Sequence, residues 1–174
     1  GMHVLSAQSL TNSGLFKVSI RYLQKLEFFG DIIVALGVLW RDKVSYLFHH
    51  SPGMPFEEGI CHIKFYPATK SSLGMVLLSR KKDEEIKEIY SDYDLIPRYK
   101  GIKELLKDIH KFRQSGYAIL KNNKNVSVAV EIGFPSYAAI GISGEISNSN
   151  LNLYINVLRN ISKKIAEDIS NEKS

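Results

Sequence analysis

Val126-Ser127-Val128-Ala129-Val130-Glu131-Ile132, followed by the turn Gly133-Phe134-Pro135-Ser136 and then Tyr137-Ala138-Ala139-Ile140-Gly141-Ile142-Ser143, is the stretch that decides the fold. Side chains alternate across a strand. Val126, Val128, Val130 and Ile132 therefore share one aliphatic face, and Ser127, Ala129 and Glu131 share the other. The second run splits the same way, with Ala138, Ile140 and Ile142 against Ala139, Gly141 and Ser143. One face is built for packing, and the other leaves space for a ligand or for a closely packed helix. The two small faces coincide only if an odd number of residues separates the paired positions across the turn, because a one-residue slip turns every side chain over.

Working outward, Asp31 to Trp40 and Lys43 to His49 are two apolar runs parted by Arg41-Asp42, the pattern of a hairpin. Ser51-Pro52-Gly53-Met54-Pro55 is a loop, and Gly59 to Phe65 a short extended piece. Tyr117 to Leu120 is a further strand. Helical periods are read at Phe16, Ile20, Leu23 and Leu26, ending near Gly30, then over Thr69–Ser79, Asp83–Tyr90 and Gly101–Ser115. A long C-terminal helix runs from Asn150 to Ile169 on a stripe of Leu151, Tyr154, Ile155, Leu158, Ile161 and Ile165. Strands that arrive as hairpins indicate an α/β chain of the α+β type, an antiparallel sheet flanked by helices.

The chain has 174 residues, 44% hydrophobic and 24% charged, which suits one globular core and excludes collagen, coiled-coil and disordered classes. Its longest apolar run, Ile32 to Trp40, is too short to span a bilayer, so no membrane partner is expected. Residues 1–13 are read as a disordered lead-in, with Gly1 before Met2 a remnant of tag removal, and 14–174 as the domain. No secretory signal is present and the single cysteine, Cys61, forbids an internal disulfide, which together predict a cytoplasmic protein. The net charge of +5 comes from scattered Lys and Arg without interleaved aromatics, a solvated surface rather than a nucleic-acid face.

No enzyme is expected. Nucleophile elbow, glycine-rich dinucleotide and P-loop patterns are all missing, so there is no catalytic set and no cofactor. His49, His50, Cys61 and His62 are metal-ligand types, but on strands each adjacent pair points to opposite faces, leaving two ligands where zinc needs three or four. No metal site follows. Glu131 and Cys61 are the only reactive candidates for an enzymatic reading. A cavity remains. The small faces supply its wall, and the unpaired N–H groups near Lys70 to Leu73, with the Thr69, Ser71 and Ser72 hydroxyls, would receive a small anion.

Four stretches carry a family resemblance: Asp31 to Leu39 with Val44-Ser45-Tyr46-Leu47, Tyr66-Pro67-Ala68-Thr69-Lys70-Ser71-Ser72-Leu73-Gly74 running on to Ser79, Gly116-Tyr117-Ala118, and Ala138 to Gly144. In this order and spacing the chain, from Tyr22 to Ile169, resembles the C-terminal effector-binding domain of IclR-type transcriptional regulators. The resemblance implies a GAF-like antiparallel sheet flanked by helices. It also implies a small-molecule effector, often an organic acid, held between the sheet and the Pro67–Gly74 segment. The ligand-binding positions it implies are Ser72, Leu73, Leu120, Ser127, Gly141 and Ser143, with Met54 and Phe56 from the variable loop.

Departures from the family pattern are informative. Thr69 stands where the family usually has His, Met75 where it has Lys, Leu120 where some members place an acid, and Gly141 in place of the first Ser of the A-x-S-V-S-G block. These changes leave fewer polar anchors and imply a larger or more apolar ligand than the simplest keto acids. The family's winged helix-turn-helix lies N-terminal to this region, so DNA would be contacted only through a head that this chain does not carry. A homo-oligomer, dimer or tetramer, is expected. The alternative is a free-standing GAF-like interaction or dimerisation domain without a ligand, marked by a collapsed cavity.

Overall fold

A computed structural model describes residues 14–26, 29–60 and 65–172. Six strands, β1 (Ile33–Trp40), β2 (Lys43–His50), β3 (Phe65–Pro67), β4 (Ala118–Asn122), β5 (Asn125–Ile132) and β6 (Ala138–Gly144), form one sheet in the order β3-β2-β1-β6-β5-β4. Every neighbouring pair is antiparallel. The α+β architecture read from the sequence, with its antiparallel sheet and long closing helix, is the one observed.

Two cores sit on opposite faces of this sheet. On one face α1 (Leu15–Leu26) and the closing helix α5 (Asn148–Glu172) lie over the aliphatic residues Val34, Leu36, Val128, Val130, Ile140 and Ile142. The stripe expected of α5 is buried as read, from Tyr154 through Leu158 and Ile165 to Ile169. In α1 the fully buried residues are Leu15, Val18, Ser19, Leu23 and Leu26, while Phe16 and Ile20 pack partly buried beside them. The Tyr22 hydroxyl donates to Asp168, tying the two helices together and holding the phenol above its usual range.

The other face carries α2 (Ser72–Leu78), α3 (Asp83–Ile89) and α4 (Ile102–Ser115). They pack on the small residues Ala35, Ala118, Ala129 and Ala139. All seven residues of α2 are buried, because it lies between the sheet and the other two helices. Helix α4 ends where expected, with Gly116 left-handed at φ 80° and its N–H returned to the Phe112 carbonyl at 2.9 Å.

Three local expectations change. The segment before α2 is a 3-10 turn, Ala68–Lys70, and the helix begins at Ser72 rather than Thr69. Ser71 is the cap, its hydroxyl accepting the Gly74 N–H at 3.3 Å, while the Thr69 hydroxyl is drawn off to the Pro97 carbonyl at 2.6 Å. The third strand in chain order is Phe65–Pro67, pairing with Lys43–Ser45; of the expected piece Gly59 to Phe65, Gly59 ends a 3-10 turn, Phe56–Gly59, Ile60 makes a single bridge to Phe48, and residues 61–64 lie outside the described residues. Residues 1–13 lie outside the described residues.

Candidate functional site

The β5–β6 register decides the small faces. Ser127 pairs with Ser143, Ala129 with Gly141 and Glu131 with Ala139, across a five-residue connection from Ile132 to Ala138. The separation is odd and the two small faces coincide. Carried across neighbouring strands, the pairing lays out rows on this face. One runs His49, Ala35, Gly141, Ala129, Ala118, and the next Ile33, Ser143, Ser127, Leu120.

Helix α2 is too short to cover both rows. At 1.5 Å per residue its seven residues extend only about 10 Å. Over the first row it packs tightly, a Cβ added to Gly141 standing 2.7 Å from Leu73 Cδ1, and in the neighbouring row through Ala139 one on Gly37 would be 3.2 Å from Leu73 Cδ2. Here the small residues receive a helix. Beyond the tip of α2 the second row is uncovered, and the result is a half-open cleft of about 1210 Å³.

Of the positions singled out from the sequence, Ser72, Leu73, Leu120, Ser127, Gly141, Ser143 and Met54 line this cleft together. Phe56 does not. Its ring packs on the opposite face against Phe48 and His50, with centroids 4.9 and 5.7 Å away, because the 3-10 turn carries it behind β2. His49 and His50 are separated by the sheet as alternation requires. His49 lines the cleft, whereas buried His50 donates from Nε2 to the Met54 carbonyl at 2.7 Å. Cys61 and His62 lie outside the described residues, among which no cluster of His, Cys, Asp and Glu is arranged to hold a metal ion.

The helix tip expected to receive an anion differs in its hydroxyls. Its three hydroxyls are already engaged: Thr69 on Pro97, Ser71 with the Gly74 N–H and the Tyr46 hydroxyl (2.8 Å), and Ser72 with Ser127 at 2.5 Å. The Ser72–Ser127 bond pins α2 to β5 at the cleft. Glu131 is not in the cleft either; its carboxylate pairs with Arg80 at 2.8 Å.

Sequence reasoning missed Arg98, Tyr46, Tyr66, Lys70, Asn122 and Asn125, which also line the cleft. Arg98 has a φ of 75°, in a turn closed by the Tyr99 N–H on the Ile96 carbonyl at 3.0 Å. With Pro97 second, this is the pattern of a type II turn, whose third position ordinarily takes Gly or Asn. Next to it, burial and a 2.7 Å hydrogen bond to Asp108 raise the Tyr99 phenol well above its usual range, so it stays protonated. A Pro-Arg pair in a turn that wants Pro-Gly was the available signal, but only once the turn type is known.

Solved structures share this fold. A Rhodococcus sp. RHA1 protein assigned as a transcriptional regulator superposes with a TM-score of 0.77 at 23% identity, over 90% of this chain and 68% of that one. An IclR homologue from Microbacterium hydrocarbonoxydans, solved with 4-hydroxybenzoate, gives 0.76 at 19%, over 90% and 68%. The C-terminal domain of the E. coli transcriptional regulator KdgR gives 0.73 at 20%, covering 89% of this chain and 98% of that domain. This is the fold of the C-terminal domain of IclR-type regulators. No protein-family model and no curated protein sequence matches the chain. The IclR-type fold agrees with the one the sequence resemblance implies. Among the described residues, no helix is long and apolar enough to cross a membrane.

Proposed function

We propose that this chain is the small-molecule sensing domain of an IclR-like transcriptional regulator, binding an organic effector in the cleft beyond the tip of α2. The observation that carries this reading is the cleft itself. Its 1210 Å³ exceeds the roughly 300–1,000 Å³ of common ligand pockets. Ser72, Leu73, Leu120, Ser127, Gly141, Ser143 and Met54 form the contact set, and the 4-hydroxybenzoate complex of an IclR homologue supports an organic acid as the ligand class. On this reading residues 14–174 are one domain of a cytoplasmic homo-oligomer with no catalytic role. DNA is contacted through an attached head, whose spacing the effector changes by binding two arrangements unequally.

Thermal-shift screening with a chemically diverse panel of organic acids, alcohols and sugars tests the proposal. A ligand at 100 times its dissociation constant adds about 2.7 kcal/mol, a rise that is easily read. No shift with any class would sink it. The alternative of a ligand-free interaction domain calls for a collapsed cavity, and the open cleft speaks against it.

A further inference from the structure

The cleft reaches from Tyr66 on β3 to Leu120 on β4, the two edge strands of the sheet. Five interstrand intervals of about 4.8 Å make that crossing about 24 Å, far longer than a single-ring acid. Its ends differ in chemistry. At the β3 end Tyr46, Phe65, Tyr66 and Ile60 gather, and Phe65 and Ile60 are 55% and 44% exposed. Charge there is balanced: Lys70 stands 5.8 Å over the Tyr66 ring, with Glu58 as the acid.

At the β4 end the cation is Arg98, flanked by the amides of Asn122 and Asn125. Lys121 alternates to the other face and offers its carbonyl. No carboxylate lies within 4 Å of the Arg98 guanidinium among the described residues. Its own hydrogen bonds are long, 3.4 Å to the Tyr99 hydroxyl and 3.5 Å to the Lys121 carbonyl. Arg98 also occupies the left-handed turn position that backbone preference would give to Gly or Asn. A long cationic side chain placed against backbone preference, without an acid partner, at one end of a cleft, is what an anion anchor requires. The direction of inference runs from the observed outlier to its use.

We propose that Arg98 anchors the anionic head of an elongated amphipathic ligand whose apolar body lies across the sheet towards Tyr46 and Tyr66. The row Leu120, Ser127, Ser143, Ile33 leads from the β4 end across β5 and β6 to β1. This rests on the sensing reading and narrows it to one ligand class, an anion with a long apolar tail.

The test is isothermal calorimetry on the full chain with dodecanoate, 1-dodecanol, dodecyltrimethylammonium and hexanoate, the ionic probes below their micellar concentrations and the alcohol below its solubility limit. Dodecanoate is expected to bind one to one, at least tenfold tighter than any of the other three. Arg98→Asn is expected to cost dodecanoate at least tenfold while leaving the melting temperature equal or higher, since asparagine suits the turn. Tyr66→Ala is expected to weaken dodecanoate and leave hexanoate unchanged. Equal affinity for dodecanoate and dodecanol, or binding indifferent to Arg98→Asn, overturns the proposal. Short acids that bind independently of Arg98 remove it while leaving the sensing function in place, and a chain that binds nothing removes both.

Discussion

Leu73 fills the hollow that Gly141 leaves in the sheet, its Cδ1 standing 2.7 Å from where a Cβ on that glycine would be. The Val128 carbonyl is 2.8 Å from the same point, so only part of the crowding can be relieved by side-chain movement. Gly141→Ala is expected to destabilise by about 1–3 kcal/mol, the usual range for overpacking. Denaturant titration of Gly141→Ala, Leu73→Val and the double variant should show coupling, with the smaller side chain recovering part of the loss. Strict additivity would mean that Leu73 does not set the requirement for glycine.

The Ser72–Ser127 pair makes an opposite forecast for single and double variants. Removing the Ser127 hydroxyl leaves that of buried Ser72 without its partner, so Ser127→Ala should cost about 1–2 kcal/mol. The double alanine variant removes both groups and should be more stable than the sum of the singles implies. Urea unfolding of the three variants checks this.

Ser19 lies fully buried in α1 with no hydrogen-bond partner for its hydroxyl among the described residues. Burying such a group is costly, and alanine is also the better helix former. Ser19→Ala should therefore stabilise the chain by about 1 kcal/mol. Tyr90, whose buried hydroxyl also lacks a partner, should tolerate phenylalanine without loss. A drop in melting temperature for both would show that a partner for these hydroxyls exists in solution.

Acid should release the α3–α4 contact. Hydrogen bonds from His110 (2.7 Å) and Arg113 (2.9 Å) hold the Asp83 carboxyl below its usual range. A group with a lowered native pKa stabilises above the pH where the unfolded side chain ionises, about 3.9, and loses that contribution as pH falls through its native value. Asp83→Asn should flatten the acid limb of the stability profile. An acid limb identical in wild type and variant would assign the loss to other carboxylates.

The sheet was legible because its information is local. Alternation from Val126 to Ser143 and the length of one turn suffice to bring Ser127 opposite Ser143, and periodicity alone placed α4 and α5. What escaped depends on residues far apart in the chain. Thr69 is capable of capping a helix, but the Pro97 carbonyl, 28 residues on, takes its hydroxyl and moves the helix start to Ser72. Phe56 is apolar and sits in the right loop, yet the 3-10 turn sends it to the wrong side of β2. Arg98 carries no local sign of its position, because its left-handed φ is a property of the closed turn.

The two faces of the sheet have different tenants: the cleft on one, the paired helices α1 and α5 on the other. Successive residues of a strand serve both sides, so Ser127 touches the cleft while Val128 supports the helices, and Ser143 and Ile142 divide the same duties. A guest that nudged β5 or β6 would thus tilt the ground beneath both helices at once. News of its arrival would travel through the thickness of a single layer of backbone, with no relay of side chains in between.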